Sequence, residues 1–172
     1  MIIKQITICS IFLVAYSAVG QSSQAKLLLK QDSIYEANIK KTHISGVYIP
    51  EDLSDSFREL IRLSPAASLD KMASAPEAMA AQKLHLGLGK WMAHNWSFYE
   101  GSRFSAYLRS LGVSYPDDMI EFTIISFHRH LNKVALELDQ RAKSYSDKRE
   151  KELADRLKTA KTISRRKKIK GF

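Results

Sequence analysis

Apolar side chains recur at three- and four-residue spacing between Leu53 and Leu131, which is the spacing of one face of an α-helix. Phe122 and Ile125 add a second apolar face to the last helix of this series, so its neighbours are expected to surround it. We predict an all-α fold, a small orthogonal helical bundle with a long charged C-terminal helix. The apolar faces consist of Leu53, Phe57, Leu60 and Ile61, of Phe104, Tyr107, Leu108 and Leu111, and of Ile120, Ile124, Phe127 and Leu131.

Local signals predict several boundaries of these helices. Residues 46–50 are expected to be extended up to a proline, because the residue before a proline is disfavoured in a helix. Ser102 is expected to cap the following helix, and Gly112 to end it in left-handed geometry. Pro116 suits the first turn of the next helix, which we predict as the central helix over residues 116–131.

One further helix contains two glycines that call for an explanation. Ser74 and Glu77 have the spacing of a capping box, and they predict a helix that runs to Trp96. Gly87 and Gly89 lie inside it, and each costs about 1 kcal/mol relative to alanine. We expect another backbone or a large ring to pack directly against these glycines.

Charge is concentrated at the C-terminus. Of the 27 Lys and Arg residues, 13 lie in residues 141–172 together with only 4 of the 18 acidic residues, so this segment accounts for the net charge of +9. We divide the chain into a signal peptide at 1–20, a linker at 21–45, an α-helical domain at 46–133 and a basic charged helix or tail at 134–172. The basic cluster that we expect to fray and to act electrostatically consists of Arg165, Arg166, Lys167, Lys168 and Lys170.

The first twenty residues have the organisation of a secretory signal peptide. Lys4 provides a positive start, the run from Ile6 to Val19 is apolar, and small residues precede a polar segment after Gly20. We predict export to the periplasm or the extracellular space with cleavage near Gly20, the alternative being an uncleaved N-terminal anchor. Cys9 is the single cysteine, so a processed chain would have no disulfide and no thiolate metal site.

Polar and aromatic residues that could line a ligand site occur in three short stretches between Gly87 and Asn132. Stacking rings combined with a few charged groups are the usual composition of a ligand cleft. The candidate binding surface consists of Asn95, Trp96, Tyr99, Arg103, Asp117, Asp118, His128 and His130.

Some of these residues also have a purely structural explanation. Trp96 could cover a hydrophobic edge instead of stacking on a ligand. Asp117 and Asp118 could cap the central helix and form a partly buried ion pair with Arg103.

The two histidines do not form a metal pair. His128 and His130 are two residues apart, so on a helix they diverge by about 200°, whereas helical zinc ligands are three or four residues apart. We expect both at the edge of the core, and we predict no metal and no cofactor.

Five blocks of residues together resemble a family of small bacterial domains of unknown function, covering about residues 46–133. The exported architecture resembles members from Bacteroidetes-type bacteria. The resemblance implies a compact α-helical domain and implies no activity. The blocks are Gly46–Leu53, the Gly-Leu-Gly-x-Trp and Asn-Trp run at Gly87–Trp96, Gly-Ser-Arg at Gly101–Arg103, Pro-Asp-Asp-Met at Pro116–Met119, and His-Arg-His-Leu-Asn at His128–Asn132.

These observations favour a non-enzymatic binding module of the bacterial envelope. Its partner would be an unidentified protein or envelope component, and its basic tail would attach it to an anionic membrane surface. One alternative is a small envelope hydrolase with Asp117 or Asp118 as base and His128 as acid. Nucleic-acid binding through the tail is the other alternative, and it is disfavoured by export.

Overall fold

The computed structural model describes residues 30–170, and it describes side chains for residues 30–162. The predicted signal peptide at 1–20 and the first part of the predicted linker lie outside the described residues. The predicted all-α class is confirmed, because helices account for most of the described chain. The helices are α1 (residues 30–38), α2 (Leu53–Leu63), α3 (Ala66–Ser74), α4 (Glu77–Leu84), a π-helix (His85–Gly89), α5 (Lys90–Asn95), α6 (Arg103–Ser110), α7 (Pro116–Leu131) and α8 (Leu138–Lys170).

A small β-hairpin precedes α2. Strands β1 (His43–Ile44) and β2 (Val47–Tyr48) pair in antiparallel register. Ser45 and Gly46 connect them, both with positive φ, as a two-residue hairpin turn of the favoured twist requires. The predicted extended segment is therefore present, and its partner strand comes from the region predicted as linker.

Helix α7 is the centre of the bundle and has the predicted boundaries. Its main stripe is buried through Ile120, Ile124 and Phe127, and Phe122 on another face is buried as completely. Helices α2, α3, α4 and α5 all pack against it. A helix that is apolar on two faces is stable only when its neighbours cover both of them, which explains the central position.

The predicted capping box at Ser74 is wrong. Ser74 is the last residue of α3, and its hydroxyl donates a hydrogen bond to the Lys71 carbonyl. Pro76 stands at the N-cap of α4 and provides no side-chain cap. The Glu77 carboxylate instead accepts hydrogen bonds from Arg129 on α7, so a tertiary ion pair has replaced the local cap.

The two glycines of the predicted helix differ in their surroundings. They lie in the π-helix that separates α4 from α5. A Cβ added at Gly89 would collide with Ile120 of α7, whereas a Cβ added at Gly87 would meet nothing within 4 Å. The expected close approach is thus present at Gly89 only, where an isoleucine side chain fills the space.

Helix α8 begins later and continues further than the sequence indicated. Lys133 and Glu137 both have positive φ, so the chain turns before the helix starts at Leu138 instead of continuing from Val134. The helix then continues to Lys170, through the cluster expected to fray. Its 33 residues correspond to about 50 Å at 1.5 Å per residue.

Candidate functional site

The predicted binding residues do not form one surface. Trp96 is completely buried, with its ring edge-on to Phe104 at 5.3 Å between centroids. It therefore cannot stack on a ligand, because no part of the ring is exposed. Asn95 uses its side-chain amide to bind the Trp91 carbonyl at the end of α5. Tyr99 remains open to solvent, with 64% of its surface exposed.

The histidines diverge, as the helical geometry predicts. His128 is buried, and its Nε2 lies 2.8 Å from the Ala75 carbonyl oxygen. His130 is exposed and stacks on Phe57 with ring centroids 4.6 Å apart. Each side chain packs on a neighbouring helix or turn, so neither faces a shared site.

Arg103 joins the hairpin to α6 and not to the aspartates of α7. Its Nε donates to the Ile49 carbonyl at 2.7 Å, and its guanidinium lies 3.9 Å from Asp55 and over the Tyr48 ring. The predicted ion pair of Arg103 with Asp117 or Asp118 is therefore wrong.

The Asp55 carboxylate beside Arg103 is stabilised in its charged form. Burial alone would raise the pKa of Asp55, but hydrogen bonds from Tyr48, the Glu51 amide and Arg58 outweigh this effect and lower that pKa.

The partner of Asp118 comes from the C-terminal helix. Its carboxylate is buried and accepts two hydrogen bonds from Arg149, at 2.5 Å from Nε and 2.7 Å from Nη2. This hydrogen bonding raises the pKa of the Arg149 guanidinium, which also lies over the Tyr115 ring at 4.3 Å. Asp117, the neighbouring carboxylate, is exposed.

This arrangement does not provide the acid and base of a hydrolase. Asp118 and His128 are ten residues apart on α7, which is about 15 Å along a helix. Asp118 is also held by Arg149, and His128 by the Ala75 carbonyl. General acid–base catalysis needs both groups within hydrogen-bond reach of one substrate, and these side chains do not converge.

The first part of α8, residues 138–149, is fixed to α7 by further polar contacts. Arg141 donates to the Phe122 carbonyl and to the Ser126 hydroxyl, both at 3.0 Å, and its guanidinium lies over the Phe122 ring. Ala142 is buried against the core, and Tyr145 packs edge-on against Phe122. Burial raises the pKa of the Tyr145 hydroxyl. We call this segment the proximal half of α8.

The turn before α8 is fixed by Arg129. Its Nε lies 2.7 Å from Glu77 on α4, and its Nη1 lies 2.6 Å from Glu137. Hydrogen bonding to Arg129 lowers the pKa of Glu77. One guanidinium thus connects α4, α7 and the residue that precedes α8.

After Glu152 the same helix no longer packs on the body over its described side chains. Residues 153–162 are all exposed, including Leu153 at 59% and Leu157 at 54%. Residues 153–170 contain eight basic residues and one acidic residue. We call residues 153–170 the cationic arm. The predicted tail cluster at 165–170 lies within it, and its side chains are outside those that the structure describes.

A separate cleft lies between α1, the loop after α5 and α6, and we call it the Tyr35–Tyr99 cleft. It has a volume of about 750 Å³. Of the predicted site residues, Tyr99 contributes to it. The sequence does not predict the other contributors, because α1 has no regular apolar stripe and lies in the region predicted as linker. The lining residues are Gln31, Asp32, Ile34, Tyr35, Tyr99, Glu100 and Arg109.

Two features are absent from the described residues. Among residues 30–170, no helix combines the length and the apolar composition that crossing a membrane requires. The same part of the chain contains no group of three or more His, Cys, Asp or Glu side chains arranged to hold a metal ion.

The fold defines a helical domain with a cationic helical extension. Residues 49–131, from the end of the hairpin to the last residue of α7, match the family described as Domain of unknown function (DUF6794). The expected relation to a domain of unknown function is confirmed at that level for residues 49–131. No curated protein and no solved structure matches the chain.

Proposed function

We propose that this protein is an exported, non-enzymatic attachment module of the bacterial envelope, in which the DUF6794 domain holds the cationic arm against an anionic membrane surface. The observation that carries the proposal is the exposure of residues 153–162, within a segment of eight basic residues and one acidic residue. A Lys or Arg near an anionic membrane contributes about 1 kcal/mol to binding.

The apolar residues of the arm favour a membrane over nucleic acid. Leu153 and Leu157 are four residues apart, so they share one face of the helix, and both are exposed. Arg156 and Lys161 are exposed beside this stripe. Helices that lie at a membrane interface combine an apolar face with basic flanks. A nucleic-acid phosphate backbone has no apolar surface on which two leucines could be buried.

The proximal half of α8 gives the arm a fixed origin. Asp118 with Arg149, and Arg141 with the Phe122 carbonyl, attach α8 to the centre of the bundle. A rigid connection of this kind would set the orientation of the domain relative to the surface, which a flexible basic tail would not do.

The test is sedimentation of the full-length chain, as processed by its host, with vesicles of phosphatidylglycerol and phosphatidylethanolamine or of phosphatidylcholine. The arm variant carries Arg156→Gln, Lys158→Gln and Lys161→Gln. The control carries Lys71→Gln, Lys83→Gln and Lys90→Gln, three exposed cations of the body, so both proteins lose the same charge. Deleting residues 141–172 would be a poorer variant, because it would also remove the proximal half of α8.

We expect the arm variant to bind anionic vesicles about 100-fold more weakly, given about 1 kcal/mol per cation. The control should bind like the wild type, and raised salt should weaken binding of both. Equal losses in the two variants would indicate a general charge effect and reject the arm as the binding element. Wild-type binding by the arm variant would reject it as well.

The identity of the N-terminal residue in the mature protein tests the proposed export. Mass spectrometry of the protein from the envelope fraction should find a chain that begins at Gln21. A chain that retains Met1 and fractionates with the cytoplasm would reject export. It would favour the alternative in which the arm binds nucleic acid.

A further inference from the structure

We propose that the Tyr35–Tyr99 cleft binds a neutral carbohydrate, through stacking on tyrosine and through a guanidinium and two carboxylates that remain available to hydroxyl groups. The site is separate from the cationic arm and does not depend on the function proposed for it. Its volume of about 750 Å³ is within the range of known ligand pockets.

The cleft is built by one close contact. Gly101 has a φ of +94°, and the Tyr35 ring lies where a side chain at that position would be. The contact seats α1 on the loop after α5 and fixes the Tyr35 ring. Ser97, at the start of the same loop, has a φ of +49°, a backbone strain of the kind that persists when surrounding structure imposes it and that is common at binding sites.

Arg109 packs on Tyr35 and forms no hydrogen bond with another described side chain or carbonyl. Its guanidinium lies over the Tyr35 ring at 4.9 Å. Its Nε is buried and has no hydrogen-bond partner among the described residues, and other atoms of the same side chain line the cleft, where they can donate to a ligand. Asp32 and Glu100 line the same cleft, and within the described chain neither carboxylate forms an ion pair with Arg109.

This set of groups selects a class of ligand. A guanidinium only donates hydrogen bonds and a carboxylate only accepts them, while each sugar hydroxyl can do both. Two carboxylates disfavour a phosphate or another anion, and the arginine disfavours a cation. Tyr99 presents an exposed aromatic face, on which the apolar face of a pyranose ring can pack.

The test measures binding of three soluble trisaccharides, maltotriose, cellotriose and triacetylchitotriose, to the full-length chain by saturation-transfer NMR and calorimetry. Tyr99→Ala removes the exposed ring, and Tyr99→Phe keeps it. Asp32→Asn removes one acceptor, and Glu36→Gln on the same helix, exposed and outside the cleft, is the matched control. Circular dichroism checks that each variant keeps the fold.

We expect at least one trisaccharide to bind, with affinity about tenfold lower for Tyr99→Ala and lowered for Asp32→Asn. Tyr99→Phe and Glu36→Gln should bind like the wild type. Absence of binding by all three sugars would overturn the assignment of ligand class. Binding that survives both Tyr99→Ala and Asp32→Asn would place the sugar elsewhere and overturn the site.

Discussion

The two halves of α8 use charge in opposite ways. In the proximal half, Arg141 and Arg149 are directed to acceptors on α7. In the cationic arm, Lys158 and Lys161 are exposed, and Lys158 pairs with the exposed Asp155 at 3.5 Å. The helix is continuous and charged throughout, so its own sequence does not determine which charges become structural.

The two halves of α8 differ because α7 offers hydrogen-bond acceptors to the proximal half only, among the described residues. Along the proximal half, α7 offers a buried carboxylate at Asp118 and a carbonyl at Phe122, which repay the desolvation of a guanidinium when the geometry is good. The described side chains beyond Glu152, at residues 153–162, are all exposed, and charges there are screened by salt and contribute little to folding. We therefore expect substitutions in the proximal half to affect stability, and substitutions in the arm to affect binding.

The largest effect is expected from Asp118→Asn. The substitution removes the buried charge that pairs with Arg149. Breaking a buried pair usually costs about 3 to 5 kcal/mol, and we expect the lower value here because Arg149 keeps Glu152 as a second acceptor. The free energy of unfolding in urea measures the loss. Asp117→Asn is the matched control, since Asp117 is exposed. Equal, small effects at both positions would show that the proximal half is not fixed by this pair.

Arg141→Met should cost about 2 kcal/mol. Methionine keeps much of the packing on Phe122 but leaves the Ser126 hydroxyl and the Phe122 carbonyl without the arginine donor. Lys143→Met, on an exposed position of the same half, should change the free energy of unfolding little. A loss as large for Lys143 as for Arg141 would mean that helix charge in general, and not these contacts, stabilises α8.

The boundaries of α7 could be predicted because their signals are local. Pro116 fits the first turn, where its missing N–H is not needed, and the apolar stripe ends at Leu131. Ser102 likewise caps α6, with a capping box to Ser105, and Gly112 has a φ of +100°. Each signal acts within a few residues, so no knowledge of the tertiary structure was needed.

The pairing of charges could not be predicted, because it depends on where distant segments meet. Asp118 and Arg149 are 31 residues apart, and Arg103 was an equally suitable cation in the sequence. The turn at Lys133 and Glu137 directs α8 back along α7 and decides the partner. Charge complementarity alone could not have distinguished the two arginines.

The Tyr35–Tyr99 cleft was only partly predictable for a related reason. Tyr99 could be predicted as a candidate because it is aromatic and follows the end of a helix that contains Trp91. Tyr35 belongs to a helix whose composition is mostly polar, and Arg109 faces it from α6. The contact of Tyr35 with Gly101 brings these groups together, and hydrophobic periodicity in the sequence does not predict such a contact.

Acid should loosen the turn from which α8 starts. The pKa of Glu77 is lower in the folded protein than its usual value of 4.5 because Arg129 holds it. Its contribution is present above the unfolded pKa and is lost as the pH falls through the folded pKa. The free energy of unfolding should thus decrease between about pH 5 and pH 3, and Glu77→Gln should reduce that decrease.

The control for this titration is Glu36→Gln, an exposed carboxylate of α1, which should leave the pH dependence as in the wild type. Asp55, whose pKa is also lowered, contributes in the same direction, so some dependence must persist in Glu77→Gln. An unchanged profile in that variant would show that Arg129 does not stabilise the turn through Glu77.

The smallest change in stability is expected from the double substitution Leu153→Ala and Leu157→Ala. Both leucines are more than half exposed, and surface substitutions usually change the free energy of unfolding by less than about 0.5 kcal/mol. Anionic vesicle binding should nevertheless weaken, because the apolar stripe is lost. A destabilisation above about 1 kcal/mol that increases with protein concentration would mean that a second copy of the chain covers this stripe, and the separation of a structural half from a binding half would then fail.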